Sequence, residues 1–213
     1  MQRVKPDRMG ELLAPFLGDL RLSEAQQHSI SIYLEMLLKW NLKINLTAVR
    51  DPDEIVTRHF GESLFLASQL FPYGDASLAA VDIGSGAGFP GLPLKLWAPS
   101  VVMTLVESNH RKATFLREVI RSLGLKQASV LAERAEAVST KADLVTFRAV
   151  EHFEKILIVA FNVTKPGGRL AILIGRSQVG GARSLLPGAT WGEPNPVPGS
   201  RSRVVLVAQK DEL

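Results

Sequence analysis

The chain has no cysteine. That excludes disulfides and thiolate metal sites, and it fits a reducing cytoplasm. No apolar run reaches the roughly 18 residues that would suggest a membrane span. The first ten residues carry Arg3, Lys5 and Arg8 and no apolar stretch, so no secretory leader is expected. Without a leader, the terminal Lys210-Asp211-Glu212-Leu213 has no retrieval receptor to meet. The sequons at Asn45 and Asn162 likewise lack the compartment that would use them. Four histidines (His28, His59, His110 and His152) show no H-x-x-H or H-E-x-x-H spacing, so no metal site is expected.

What remains is an ordinary globular composition. The 213 residues are 46% hydrophobic and 22% charged, enough for one ample core. Net charge is +4, a mild hint of a polyanionic partner. Its distribution is sharper. From Lys165 to Lys210 there are seven basic residues (Lys165, Arg169, Arg176, Arg183, Arg201, Arg203, Lys210) against Glu193 alone. A solvated, solubilising face would explain that run equally well.

The centre of the chain is Val81-Asp82-Ile83-Gly84-Ser85-Gly86-Ala87-Gly88-Phe89-Pro90-Gly91-Leu92-Pro93. An apolar strand-like segment precedes it and a helix-like one follows. Glycines crowd the turn between them, where positive φ and close backbone approach to a ligand cost them little. The G-x-G-x-x-G spacing from Gly86 to Gly91 is a weak signal that suits several nucleotide-like ligands. Asp82 narrows the choice, because D-x-G-x-G-x-G resembles the first motif of S-adenosylmethionine methyltransferases. Glu107, closing the apolar run 101–106, lies about 20 residues past the glycines, where an acid can accept ribose hydroxyls of either NAD or S-adenosylmethionine. The Pro-Gly-Gly turn at Pro166-Gly167-Gly168 resembles the methyltransferase sheet and has no standard place in a dinucleotide domain.

Residues 1–70 read as a helical segment and 71–213 as one α/β unit. Ser23 with Gln26 makes a capping box, and Asp51 with Pro52 starts a second helix. Between these helices, Lys39 to Thr47 is basic and amide-rich, readable as a helix end packed by Trp40 and Leu42 with Asn45 as a cap. From residue 78, strands at 78–83, 101–107, 128–132, 143–148, 169–174 and 203–209 alternate with helices at 91–98, 110–123 and 151–163. A helix or turn is expected after Ala135, and loop over 176–202. That alternation predicts a parallel α/β sheet with helices on both faces.

Several blocks in order resemble one family, the ribosomal RNA small-subunit methyltransferase G proteins, also called glucose-inhibited division protein B. They are Lys39-Trp40-Asn41 with Lys43 to Thr47, Arg58-His59-Phe60 with Ser63-Leu64, and Asp82 to Pro93. Arg111-Lys112 with Phe115-Leu116, Arg134-Ala135-Glu136 and Arg148-Ala149-Val150 complete the set. The resemblance implies a Rossmann-like class I S-adenosylmethionine-dependent methyltransferase sheet with an N-terminal helical extension. It further implies methylation of N7 of a guanosine in bacterial 16S ribosomal RNA, in the cytoplasm. Naked RNA or a small-subunit particle would be the partner and a monomer is expected.

Carried over, the methyl donor would touch Gly84, Gly86, Phe89, Ala135, Glu136 and Arg148, with Glu107 on its ribose. Phe89 could instead be a core aromatic, Glu136 a helix-terminal acid and Arg148 a surface charge. No catalytic acid or base is expected, since N7 carries a lone pair and no proton. Lys165, Arg176, Arg201 and Arg203 are the candidates for RNA phosphates. Two positions depart from the family pattern: Ile174-Gly175 where a Lys-Gly is common, and Glu62 where the family has aspartate. A nucleotide-dependent dehydrogenase, a methyltransferase acting on another RNA, a protein or a small molecule, and a binding-only fold are the competing readings.

Overall fold

In a computed structural model, residues 4–212 are described. The first three residues of the 1–70 segment and Leu213 of the terminal tetrapeptide lie outside them. Three helical stretches come first: α1 (Pro6–Leu17), α2 (Glu24–Asn41), and a continuous run from α3 (Pro52–Ile55) to α4 (Glu62–Leu70). Their starts follow the local chemistry. Ser23 and Gln26 cap α2 reciprocally, and the Asp51 side chain accepts the Glu54 N–H ahead of Pro52. The end of α2 is made differently from expectation. Leu42, 78% exposed, is the C-cap rather than Asn45, and Asn41, the last helical residue, braces the chain beyond it: its Oδ1 accepts the N–H groups of Leu46 and Thr47 and its Nδ2 donates to the Thr47 carbonyl. Between α3 and α4, Val56–Gly61 winds as a wider π turn. Such turns are rare and concentrate at functional sites.

The remainder alternates: β1 (Ala79–Ile83), α5 (Gly91–Trp97), β2 (Val102–Val106), α6 (His110–Ser122), β3 (Ala128–Leu131), a 3₁₀ turn Ala135–Ala137, β4 (Ala142–Arg148), α7 (Phe153–Val163) and β5 (Thr164–Gly175). After a 3₁₀ turn at Arg176–Gln178 come α8 (Val179–Leu185), β6 (Ala189–Trp191), β7 (Asn195–Pro196) and β8 (Arg203–Lys210). The strand order is β3-β2-β1-β4-β5-β8-β6, with β7 also paired to β8. Neighbouring pairs from β3 through β5 are parallel, whereas β8 is antiparallel to its partners. The chain reverses direction across the sheet between β1 and β4, and in such sheets the crevice at the carboxyl ends of those strands is where ligands bind.

Two departures concern β5 and the region after it. β5 begins five residues before the predicted strand, because Lys165 to Gly168 bulges out of the ladder between the Ala142–Thr164 and Leu144–Arg169 pairs. Gly168 is required there: a Cβ would stand 2.9 Å from the Lys165 carbonyl oxygen and 3.0 Å from that of Asp143. The expected 176–202 loop holds α8 and the two short edge strands β6 and β7. Their brevity leaves no periodicity to read, and pairing with β8 supplies what local sequence does not.

One apolar cluster runs from Met9, Leu13, Tyr33 and Phe60 of the N-terminal helices through α5 and α6 to Met103 and Leu144 of the sheet. A second fills the opposite face under α7 and α8. Asp82 is fully buried between them. The Thr146 hydroxyl donates to its Oδ1 at 2.8 Å across the β1–β4 pair, and its carboxyl backs onto the first turn of α5. Burial pushes this carboxyl up to about 6, the Thr146 hydrogen bond opposing. With the folded value above the unfolded one, its contribution is complete below pH about 4 and lost as pH rises through about 6. A displacement of that size corresponds to roughly 3 kcal/mol. Wild type is therefore expected to lose roughly 2–3 kcal/mol relative to Asp82→Asn between pH 4 and 7 in urea titrations. A pH-independent difference would contradict the assignment.

Candidate functional site: a cleft at the sheet's switch point

At the carboxyl ends of β1, β2 and β4 lies a cleft of about 620 Å³. Its floor is the turn after β1. Gly84 and Gly86 there take φ of +65° and +56°, and the Ser85 carbonyl accepts the Gly88 and Phe89 N–H groups. The turn is pinned from both sides. On one side the Glu107 carboxylate, at the end of β2, accepts Gly86 N–H at 2.8 Å and Asn109 N–H at 2.7 Å. Each oxygen keeps a second lone-pair direction for a ligand hydroxyl. On the other side Tyr33 reaches in from α2. Its hydroxyl donates to the Ala87 carbonyl and its ring stacks on Phe89, centroids 5.4 Å apart.

All seven positions proposed for the methyl donor line this one cleft: Gly84, Gly86, Phe89, Glu107, Ala135, Glu136 and Arg148. Phe89 also belongs to the core, in edge contact with Phe60. Glu136 sits in the 3₁₀ turn after β3 and pairs with Lys155 of α7. Arg148 is no surface charge, since its side chain is only 10% exposed. Its Nη1 donates to the Arg58 carbonyl at 2.7 Å and its Nη2 lies 3.1 Å from Glu62 Oε2. Burial pushes the guanidinium down from its ordinary value, while the Glu62 charge pulls it back. Beyond it, Ala149 and His152 hold left-handed backbone (φ +48° and +53°), conformations that cost non-glycine residues energy and cluster at binding sites.

A further wall comes from the N-terminal segment, as Leu46, Thr47 and His59 line the same cleft. His59 stacks on Phe89 at 5.0 Å and its Nε2 lies 2.7 Å from Thr47 Oγ1. Burial, with Arg148 and Arg58 nearby, pushes this imidazole down to about 3, so it stays uncharged at neutral pH. Sequence reasoning assigns neither residue a role. The only signal is their place in the amide-rich and Arg-His-Phe blocks.

The four RNA candidates do not come together. Arg176 and Arg201 are exposed at the cleft end of β5 and β8. Arg203 is partly buried and paired with Glu62. Lys165 lies at the far end of β5, 2.7 Å from Asp143 and, at about 3.3 Å per step of the ladder with the bulge discounted, roughly 25 Å from Gly175. Lys210 is also at that far end, donating to the carbonyls of Phe161 and Thr164. The basic C-terminal run therefore does not form one face.

A family profile described as rRNA small subunit methyltransferase G matches residues 26–183, most of the chain and both walls of the cleft. The chain belongs to that family. A protein of that name from Xanthomonas axonopodis pv. citri is 43% identical over 179 residues, covering 82% of each chain. Another from Roseiflexus castenholzii is 38% identical over 206 residues, covering 90% of this chain and 86% of the relative. The fold has wider kin. A SAM-dependent methyltransferase from Aquifex aeolicus aligns with a TM-score of 0.60 at 18% identity, over 78% of this chain and 96% of that one. At that identity the likeness speaks for the class I methyltransferase fold. Within the small-subunit methyltransferase G family, the seven cleft positions and the Thr47–His59 wall all fall inside the matched span.

Proposed function

We propose that the chain methylates N7 of a guanosine in bacterial 16S ribosomal RNA, with S-adenosylmethionine as methyl donor, in the cytoplasm. The observation that carries this reading is the convergence of the positive-φ glycine turn, the Glu107 carboxylate and Arg148 on one cleft in a chain of this family. The residues fit the donor. Glu107 has lone pairs left for two ribose hydroxyls, and no side chain on Gly84 or Gly86 obstructs the turn. Ala135 and Glu136 would border the nucleoside base.

When bound, S-adenosylmethionine supplies a methyl group on a sulfonium, and its transfer to N7 carries the positive charge onto the purine. Because N7 offers a lone pair and carries no proton, no general base is needed. The protein's part is alignment, which can contribute about 7–11 kcal/mol when reacting atoms are held in line. His59, kept uncharged by burial, adds no positive charge to a cleft that must accept a cation. Phosphates of the RNA would meet the exposed Arg176 and Arg201.

Transfer of labelled methyl to small subunits lacking the modification, with N7 mapping in cells with and without the gene, tests the reading. Absence of methyl transfer to small-subunit RNA would overturn it. For the phosphate contacts, the double variant Arg176→Ala, Arg201→Ala is expected to weaken RNA binding. It should flatten the slope of log affinity against log salt by about 0.7–0.9 for each phosphate no longer neutralised. Filter binding across a salt series measures this, and an unchanged slope would remove these arginines from the interface.

A further inference from the structure

The cations of this chain sort by whether the fold neutralises them. In the C-terminal run, Lys165, Arg183 and Arg203 pair with Asp143, Glu193 and Glu62, and Lys210 donates to two carbonyls. The end of α2 and the length of α6 differ. Residues 39–50 hold three lysines or arginines and no acid, and residues 108–127 hold five against Glu118 alone. Arg121 takes Glu118. Among the described residues, the side chains of Lys39, Lys43, Arg111 and Lys112 make no ion pair and donate no hydrogen bond. Three of the four are exposed and Lys112 is partly buried.

Packing gathers these four at the cleft. α6 starts just past the carboxyl end of β2, and Lys112 in its first turn lines the cleft. The Trp40 ring packs on Phe115, centroids 5.7 Å apart, which sets the end of α2 against α6 one turn past Arg111 and Lys112. Lys39 and Lys43 stand on either side of Trp40 in sequence, and the chain after Lys43 runs into Leu46 and Thr47 of the cleft wall.

Stability does not account for Arg111 and Lys112. They are the second and third residues of α6, behind the Asn109 cap, and no acid shares that turn. The positive end of the helix dipole lies there, so cations raise the energy of the helix where an acid would lower it. Positions at which a sequence goes against local preference concentrate at functional sites.

We propose that Lys39, Lys43, Arg111 and Lys112 form a second RNA-binding rim, taking phosphates on the side of the cleft opposite Arg176 and Arg201. This inference rests on the proposed function. The four cations are spread over two helices along the mouth and do not converge on one buried point, which suits a chain of phosphates and not a single small anion. β2, which leads into α6, and β5, which leads to Arg176, are separated by β1 and β4. Three strand spacings put the two rims roughly 14 Å apart at the sheet. A single-stranded segment held at both rims therefore crosses the glycine turn between them.

Two double variants that remove the same charge test the rim. One is Lys43→Ala with Arg111→Ala at the mouth; the other is Arg117→Ala with Lys126→Ala, from the middle of α6 and beyond its end. Filter binding to small subunits from cells lacking the gene, across a salt series, compares them. The mouth pair is expected to flatten the slope of log affinity against log salt by about 0.7–0.9 for each phosphate released, and the other pair to change it little. Calorimetry with S-adenosylmethionine should show the same donor affinity in both. Arg111→Glu adds a readout that a structural role would move the other way. It should weaken RNA binding yet raise the melting temperature by about 1–4 °C, since an acid replaces a cation at the positive end of the dipole. Equal slopes for the two pairs, or a lower melting temperature for Arg111→Glu, overturns the proposal. If wild type transfers no methyl to small-subunit RNA, the proposed function fails and this inference falls with it. Transfer by wild type with equal slopes for the two pairs sinks this inference alone.

Discussion

Replacing Glu62 by alanine is expected to lower the melting temperature by about 6–12 °C. The Glu62 side chain is 2% exposed, at the first position of α4 just past the π turn. One oxygen pairs with Arg203 and the other lies 3.1 Å from Arg148. Removing one partner of a buried ion pair costs about 3–5 kcal/mol, because the remaining charge stays desolvated and unpaired. Arg203 is 29% exposed and water screens its share, so the lower end, about 3 kcal/mol, is the appropriate figure. For a chain of this size each kcal/mol moves the midpoint by about 2–4 °C. Arg203→Ala should cost less, since Glu62 would keep Arg148. Calorimetry on the two variants checks the ordering, and a Glu62→Ala midpoint within 2 °C of wild type would contradict it. The Glu62 side chain reaches two arginines that arrive from β4 and β8.

The second large effect is expected at Glu107. Glu107→Ala removes the acceptor for Gly86 and Asn109 N–H together with the proposed partner of the ribose hydroxyls. Hydrogen bonds to a charged group contribute about 1.5–3 kcal/mol each, and the glycine turn loses its brace at the same time. Affinity for S-adenosylmethionine should fall at least about 100-fold, the equivalent of about 2.7 kcal/mol. Glu107→Gln keeps one acceptor oxygen and should fall between wild type and alanine. Isothermal titration with S-adenosylmethionine, and with NAD as a control, reads both the loss and the ligand class. Unchanged affinity in Glu107→Ala would remove this residue from the nucleoside site, and heat with NAD alone would favour a dehydrogenase.

How much of the molecule is legible in its sequence depends on the range of the interaction. The Ser23–Gln26 box, the Asp51–Pro52 start and the glycine turn are written in residues within four positions of one another, so they are readable from spacing. The end of α2 is not, because Asn41 and Asn45 carry the same side-chain chemistry, and only the path of Leu46 and Thr47 back to Asn41 decides which amide braces the chain after the helix. The bulge at Lys165 to Gly168 is hidden for a similar reason: Pro-Gly-Gly reads as a turn before a strand, whereas pairing with β4 on both sides makes it part of one. Charge alone groups Lys165 with Arg176, and strand direction sends them to opposite ends of the sheet.

By itself the sequence determined the alternating α/β order, the glycine turn with its two acids Asp82 and Glu107, and the motifs that resemble the family. Only the tertiary structure decided what those residues face. Arg148 meets the Arg58 carbonyl 90 positions away, and Thr146 braces Asp82 across 64. Glu62 becomes a buried counter-ion only once β4 and β8 bring their arginines to it. Local propensity acts through neighbours along the chain, whereas hydrogen-bond capacity and charge are settled by whichever groups the strand order brings within reach.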